Sequence, residues 1–350
     1  MKKKNVRLSA SRIKSYKECS WKYWCNYHLG LPRTGNDGTS RGTACHLILE
    51  VLLNPRHQKY ITSIMDKADA YTVESIKKLV EKSLRRDGFY NEENMELCNV
   101  WILVGLSCDY FGGKGAKITE PEKEFLIESK SPNYTIYGLI DKPIEYPKDK
   151  TLKIVDYKTT KSKPPKAEIE FNIQALCYLL ASKTLWPKLK KRYVEFQYLK
   201  FPDDPLVKVE VTDEELEGFG YYLEHINEIL NSFDEASAKS SFAARKKFPK
   251  KEEGFTGPLN CGFAKYKGEL KKDGNPMWYC EYKFPFDYYV SISKSGKVLK
   301  SSHEKDSLKK PKGGKIEKRH YEGCPAHSKF TQEIDPQPRR QVDKKDDFDF

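Results

Sequence analysis

Apolar residues recur at helical spacing in the first third of the chain and at shorter, β-type spacing after it. Residues 8–30 read as a helix crowded with aromatics: Tyr16, Trp21, Tyr23, Trp24 and Tyr27. A loop rich in Gly, Thr and Asn follows from Pro32 to Ser40, and Arg41 to Leu53 reads as a helix with a strongly apolar face. Residues 64–112 look helical, with Leu97, Trp101, Val104 and Leu106 late in the block and Gly112-Gly113 closing it. Then Lys123 to Glu128, Tyr134 to Tyr146 and Thr151 to Lys158 form short β-type runs, with Pro147-Lys148-Asp149-Lys150 as a hairpin turn between the last two. Lys166 to Thr184 is predicted helical from Ile169, Ile173, Leu176, Cys177 and Leu180. Arg192 to Phe201 and Leu206 to Val211 read as two more strands. Thr212 with Glu215 makes a capping-box pattern ahead of a helix to about Ser232. The order predicts an α/β fold with a small mixed sheet flanked by helices. Beyond Phe242 aliphatic residues thin out; Phe284 to Val290 is one further strand candidate, and Lys309 to Lys318 reads as a flexible basic loop. Four segments follow: a helical part over 1–120, an α/β core over 121–240, a segment rich in Cys, aromatic and basic residues over 241–328, and a polar, disordered tail over 329–350.

The 350 residues suffice for one large domain or two ordinary ones. A net charge of +13, from 63 basic and 50 acidic residues, favours a polyanionic partner or else a solvated, lysine-rich surface. No apolar run reaches the length of a membrane span. The basic start Met1-Lys2-Lys3-Lys4-Asn5 lacks a signal-peptide core, because Val6 to Ser11 is short and polar. The expectation is a cytoplasmic protein. Nine cysteines, an odd number, argue against a disulfide framework. Cys45, Cys98, Cys108 and Cys177 lie among apolar neighbours and read as core filler.

The chemistry concentrates in Ile154-Val155-Asp156-Tyr157-Lys158. Alternation on a strand puts Asp156 and Lys158 on one face, so a carboxylate and an ammonium leave the strand end together. Alone, this is an ordinary Asp–Lys pair. Asp141, on the preceding run, changes the picture: if residues 147–150 turn, its strand lies beside that of Asp156, and two carboxylates can share a hard divalent cation. Gly138 leaves room there for a backbone or ligand to approach. His46, in an apolar helix, is either a satisfied core histidine or a third ligand that suits Mn²⁺ as well as Mg²⁺. Gln174 and Tyr178, four apart, share one helical face and either bound the helix or support the site and its substrate.

With these elements in place, the sequence resembles the RecB-like branch of the PD-(D/E)XK nuclease superfamily, which includes CRISPR-associated RecB-like exonucleases. The matching residues are Ser9-Ala10-Ser11-Arg12-Ile13 through Cys19 and Tyr23, Gly42-Thr43-Ala44-Cys45-His46, Gly138-Leu139-Ile140-Asp141, Asp156-Tyr157-Lys158-Thr159 and Gln174 through Tyr178. Each motif is weak alone; five in the family's order over residues 8–200 are not. The resemblance implies that 1–120 is the helical part of a nuclease domain and 121–240 its catalytic core. His46, Asp141, Asp156 and the Tyr157 carbonyl would ligate Mg²⁺ or Mn²⁺, and Lys158 would position and activate the water. Asp141, Asp156 and Lys158 form the catalytic set, with Gln174 and Tyr178 in support. The expected reaction is hydrolysis of DNA phosphodiester bonds, by an exonuclease of recombination, repair, replication or phage DNA processing. A helicase, recombinase or single-strand-binding partner is expected, and no membrane. The alternative is a non-catalytic or partner-dependent nucleic-acid-binding module on the same fold.

Some relatives also carry a [4Fe–4S] cluster, and Cys19 matches its first ligand. Cys261, Cys280 and Cys324 would supply the rest, although 18 and 43 residues separate them, wider than is usual in those relatives. Zinc is the rival, since Cys324-Pro325-Ala326-His327 has ligand-like spacing and His320 is near; separate thiols are the third reading, and Cys25 could replace Cys19. Finally, Lys265-Tyr266-Lys267 and Tyr279 to Phe284 interleave basic and aromatic residues. Exposed, they would stack unpaired bases; buried, they would form a small C-terminal core.

Overall fold

The computed structural model describes residues 5–165, 168–169, 171–243, 261–262 and 264–327. In chain order its helices are α1 (Ala10–Glu18), α2 (Ser20–Tyr27), α3 (Asp37–Leu53), α4 (Lys59–Lys67), α5 (Glu74–Asp87), α6 (Glu92–Ser107), α7 (Ile173–Leu185), α8 (Asp213–Asn231) and α9 (Glu235–Ser240). Its strands are β1 (Arg7–Leu8), β2 (Lys117–Ile118), β3 (Lys123–Lys130), β4 (Asn133–Ile140), β5 (Lys142–Tyr146), β6 (Thr151–Lys158), β7 (Lys191–Tyr198), β8 (Leu206–Val209), β9 (Phe286–Ile292), β10 (Val298–Ser302) and β11 (Lys315–Tyr321). The chain divides into two compact units, Met1–Ile13 with Gly35–Ser232, and Lys14–Thr34 with Phe233–Phe350. Among the described residues no helix is long and apolar enough to cross a membrane.

The first unit is the mixed α/β fold that the hydrophobic pattern predicts. Its five-stranded sheet runs β2-β5-β6-β7-β8, antiparallel except for the parallel pair β6 and β7. A parallel pair needs a long crossover, and α7 lies within it. Central β6 is buried through Leu152, Lys153, Ile154, Val155, Asp156 and Tyr157, which is why its sequence is apolar on both faces until the charged residues appear. A second sheet has the order β1-β4-β3. The helical half forms a continuous core in which Ala44, Cys45, Ile48, Leu49 and Leu52 of α3 meet Val80 and Leu84 of α5 and Cys98, Trp101 and Ile102 of α6. Asn36 caps α3 by accepting the Thr39 N–H, and Thr212 with Glu215 completes the expected capping box of α8.

Several sequence expectations change. The run from Tyr134 to Tyr146 is not one strand: β4 pairs in the three-stranded sheet, β5 in the five-stranded one, and Asp141 is the single residue between them. The helical block 64–112 breaks after Ala68 (φ 48°) and at Gly88 (φ 80°), where the Phe89 N–H turns back to the Leu84 carbonyl. Gly138 makes room for neither ligand nor backbone; a Cβ there would lie 2.6 Å from the ring of Phe125, its partner in the β3–β4 ladder.

In the second unit, the predicted helix over 8–30 is interrupted at Cys19, whose backbone is extended, because the Ser20 N–H bonds the Ser241 carbonyl instead of continuing the turn. Its three-stranded sheet runs β10-β9-β11, all antiparallel. The basic loop expected over Lys309 to Lys318 is extended from Lys315 on, since β11 pairs with β9 from Lys315↔Ile292 to Tyr321↔Phe286. Aromatics replace aliphatics in the core here: Trp21 Nε1 donates to Tyr321 Oη at 2.8 Å, Tyr321 Oη to the Tyr282 carbonyl, and Tyr282 Oη to Asn26. The polar tail 329–350 lies outside the described residues.

Candidate active site

The predicted turn at 147–150 forms, and β5 and β6 pair antiparallel with Lys142 opposite Val155. One step further along that register, Asp141 lies beside Asp156. Asp156 is buried. Two carboxylates brought so close repel, and burial adds to the cost. The Asp141 carboxyl is accordingly held well above the usual carboxylate range, first by burial and then by the charge of Asp156.

His46 reaches the same place from α3. Gly42, one turn earlier, is what lets the helix come close: a Cβ there would sit 2.8 Å from Thr159 Oγ1, just past the end of β6. His46 Nε2 lies 3.0 Å from the Tyr157 carbonyl. A carbonyl only accepts, so Nε2 carries the proton and Nδ1 presents its lone pair. Burial lowers the pKa of His46, so the ring is neutral near pH 7. Nδ1 then faces Asp141 Oδ2 at 3.4 Å, while that oxygen also accepts the Tyr157 N–H at 3.1 Å. Two lone pairs at this distance favour a cation or a proton between them.

A third donor, which the sequence reading missed, completes the set. Donor atoms of His46, Glu122 and Asp141 all lie within 4.8 Å of one another. Glu122 stands at the entry to β3 in the left-handed region (φ 51°), its N–H bonded to the Asp141 carbonyl at 3.0 Å. A side chain in that conformation costs about 1–2 kcal/mol, a strain typical of functional positions. Burial, then Glu50 and Asp156, raise the pKa of Glu122. Glu50 lies one turn beyond His46 on α3. Only the strand register reveals it: Lys123 pairs with Ile140, so the acidic residue just before β3 falls opposite Asp141.

Lys158 and the α7 pair lock the other side. Lys158 Nζ is 2.5 Å from Asp156 Oδ2 and donates to Gln174 Oε1 at 2.6 Å. Gln174 Nε2 donates to Asp156 Oδ1 at 2.8 Å and to Tyr178 Oη at 2.7 Å, and Tyr178 Oη donates to Asp156 Oδ1 at 3.0 Å. Asn172 fixes the start of α7 by accepting the N–H groups of Gln174 and Ala175. Gln174 and Tyr178 thus act on the carboxylate and the ammonium rather than standing apart as a boundary helix face. The ammonium donates to Gln174 and is ion-paired with Asp156, which leaves donor capacity for a water or a phosphate oxygen.

The residues fit a hard divalent cation: oxygen and imidazole donors converge, one carboxylate is held in a state that favours a positive neighbour, and the imidazole is neutral. The sequence profile of the PD-(D/E)XK nuclease superfamily matches residues 7–263, and the chain belongs to that superfamily. Membership implies a metal-dependent nuclease, generally served by Mg²⁺ or Mn²⁺ and acting on DNA. No curated protein matches the chain.

In the second unit, Cys19, Cys261, Cys280 and Cys324 come together. Each of the six pairs is close enough that charge on one sulfur raises the proton affinity of another. Burial is the larger cause and brings Cys261 and Cys324 to about 12. Hydrogen bonds tie the segments: Cys280 N–H to the Cys261 carbonyl, Lys283 N–H to the Cys280 carbonyl and Cys324 N–H to the Lys283 carbonyl. Cys25 is also close enough to feel charge on Cys324, Cys280 and Cys19, and its sulfur lies 3.6 Å from Tyr321 Oη. His320 pairs with Asp287 at 2.6 Å. Cys45, Cys98, Cys108 and Cys177 are buried filler, as expected.

Proposed function

We propose that the first unit hydrolyses DNA phosphodiester bonds as an exonuclease of the RecB-like branch. The observation that carries this is the convergence of His46, Glu122 and Asp141 within 4.8 Å beside the Asp156–Lys158 pair at 2.5 Å. His46 Nδ1, Glu122, Asp141 and Asp156 would hold Mg²⁺ or Mn²⁺, with the second lone pair of the Tyr157 carbonyl as a further donor. When bound, the cation lowers the pKa of water and neutralises charge on the phosphate. Asp156 pairs with Lys158, and Gln174 sets its direction. The free N–H of Lys158 orients the attacking water or a phosphate oxygen and stabilises the charge that grows in the transition state. The order of His46, Asp141, Asp156-x-Lys158 and Gln174 to Tyr178 along the chain supports the branch. The test uses end-labelled linear DNA and closed circles, single- and double-stranded, with Mg²⁺, Mn²⁺ or EDTA. Cation-dependent loss of linear DNA with circles intact is expected; cutting of circles would make the chain an endonuclease.

We also infer that Cys19, Cys261, Cys280 and Cys324 bind a [4Fe–4S] cluster rather than zinc. Zinc bonded at about 2.3 Å in a tetrahedron needs sulfurs about 3.8 Å apart. Among the described residues no three of these thiols meet within 4.8 Å, the single such group being His46, Glu122 and Asp141. The Lys283 ammonium, buried and donating to the carbonyls of Gly262 (3.0 Å) and Ala264 (2.7 Å), supplies positive charge beside Cys261, Cys280 and Cys324. Iron and acid-labile sulfide in aerobically and anaerobically purified protein test this; stoichiometric zinc without iron would contradict it.

A further inference from the structure

The two aromatic-basic stretches have different fates. Tyr282 and Phe284 are buried, at 1% and 6% exposure, and belong to the core of the second unit. Tyr266, Leu270 and Trp278 are 45%, 57% and 58% exposed. Large apolar side chains so open to water, and so close in sequence, are unusual unless they meet a partner.

The backbone between them is ordered into a ribbon. Leu270 bridges Pro276 in antiparallel pairing, the Met277 N–H bonds the Glu269 carbonyl at 2.8 Å, and the Lys271 N–H bonds the Asn275 carbonyl at 2.8 Å. Gly274, at φ 80°, and the Asp273 carboxylate, accepting the Asn275 N–H, form the tip. The base is fastened by the bridge between Gly262 and Tyr279. Residues directly opposite on an antiparallel ladder share a face, and so do positions two apart along one strand. Leu270, Pro276 and Trp278 therefore line one face. Lys271 and Lys272 stand at the tip and Lys265 near the base, none in an ion pair among the described residues, and all three are exposed. Lys265, Lys267, Lys271 and Lys272 outnumber Glu269 and Asp273 two to one.

We propose that the ribbon 265–279 is a binding site for single-stranded nucleic acid, with Trp278 and Tyr266 stacking on unpaired bases and the lysines at its tip and base holding the phosphates. An indole and a phenol offer flat, sequence-indifferent faces that reach bases only when these are out of a duplex. The ammonium groups supply the backbone contact that salt weakens. An acidic or apolar protein surface would use the charge or the apolar face but has no need for both rings. The site lies outside the catalytic set and adds to the nuclease reading without depending on cleavage.

The test is binding of a dye-labelled oligo-dT to the full chain in EDTA, so that no cleavage is involved, with a duplex of equal length for comparison. Trp278→Ala and Tyr266→Ala should each weaken oligo-dT binding about fivefold or more and leave duplex binding unchanged. Trp278→Phe should restore most of the loss, and K271Q with K272Q should flatten the salt dependence. Both rings are exposed, and an unchanged melting curve checks that the variants fold. Oligo-dT affinity that is absent in the wild type, or is indifferent to the double substitution of Tyr266 and Trp278, would overturn the proposal and assign the face to a protein partner. Because cleavage plays no part, an inactive catalytic site would leave this result intact.

Discussion

His46 Nδ1 and Asp141 Oδ2 face each other at 3.4 Å, one from α3 and the other from the single residue joining β4 to β5. Neither carries a proton when the imidazole is neutral and Asp141 is ionised, so the pair is at rest only around a positive charge. The rest of the site is arranged about this contact. Glu122 hangs from the Asp141 carbonyl, the Tyr157 amide and carbonyl hold one member each, and Asp156 sits on the adjacent strand.

Stabilisation by Mn²⁺ should therefore grow with pH. The folded-state pKa of Asp141 is raised, so its contribution to stability is present at low pH and is lost as pH rises through that value. The pKa of His46 is lowered, so its neutral, ligating form persists down to lower pH than usual. Without cation the Asp141 contribution falls as pH rises from the ordinary carboxylate range, while the lowered pKa of His46 works in the opposite direction, so the gain on adding Mn²⁺ at each pH is the quantity to follow. Thermal melts with Mn²⁺ and with EDTA across that range measure the difference. A cation-induced gain that is constant or shrinks with pH is incompatible with this pair as ligands.

Lys158→Ala should reduce cleavage about 10²- to 10³-fold while DNA binding in EDTA changes little. Lys158→Arg should not rescue it, because a planar guanidinium cannot keep the short contacts to both Asp156 and Gln174. Single-turnover rates with pre-bound DNA separate the chemical step from binding.

Gln174→Leu tests a positioning role. It removes the donor to Asp156 and the acceptor for Lys158 at once, and a loss of about 10- to 100-fold is expected in cation affinity or rate. Gln174→Glu keeps the acceptor but replaces the donor with a second negative charge against Asp156. It should raise the pH at which cleavage reaches half its maximum, a shift that loss of packing alone would not produce.

If the four thiols hold the proposed cluster, Cys280→Ser should abolish its visible absorption and iron, and Lys283→Gln should lower the potential at which it is reduced, since it removes a nearby positive charge. Iron retained at wild-type stoichiometry in Cys280→Ser would exclude that thiol as a ligand.

Much of this site was legible in the sequence because strand periodicity is strict. Once Pro147 to Lys150 turns the chain, Asp141, Asp156 and Lys158 have few other places to go. Helical spacing likewise put Gln174 and Tyr178 on one face, though not which atoms they would bridge. Glu122 was hidden because its role depends on the pairing of β3 with β4 and on a left-handed backbone that carries no signal in a Glu. Asp141 was read as mid-strand because β4 and β5 form one apolar-polar alternation, and only the partner strands reveal that it changes sheets. Gly138 was read towards a ligand when its neighbour is the Phe125 ring, a contact made across the ladder. The ribbon 265–279 has the composition of either a core or a surface, and burial alone separated Tyr282 from Trp278.

The most direct test of the site is Mn²⁺ binding, followed by electron paramagnetic resonance, in the wild type and in His46→Ala, Glu122→Gln and Asp141→Asn, with cleavage of linear DNA measured on the same samples. Tight binding by the wild type, weakened about 10- to 100-fold in each variant together with a parallel loss of cleavage, is the predicted result. Undiminished Mn²⁺ binding in Asp141→Asn, or cleavage by the wild type that survives EDTA, would contradict the assignment of these residues as the cation site.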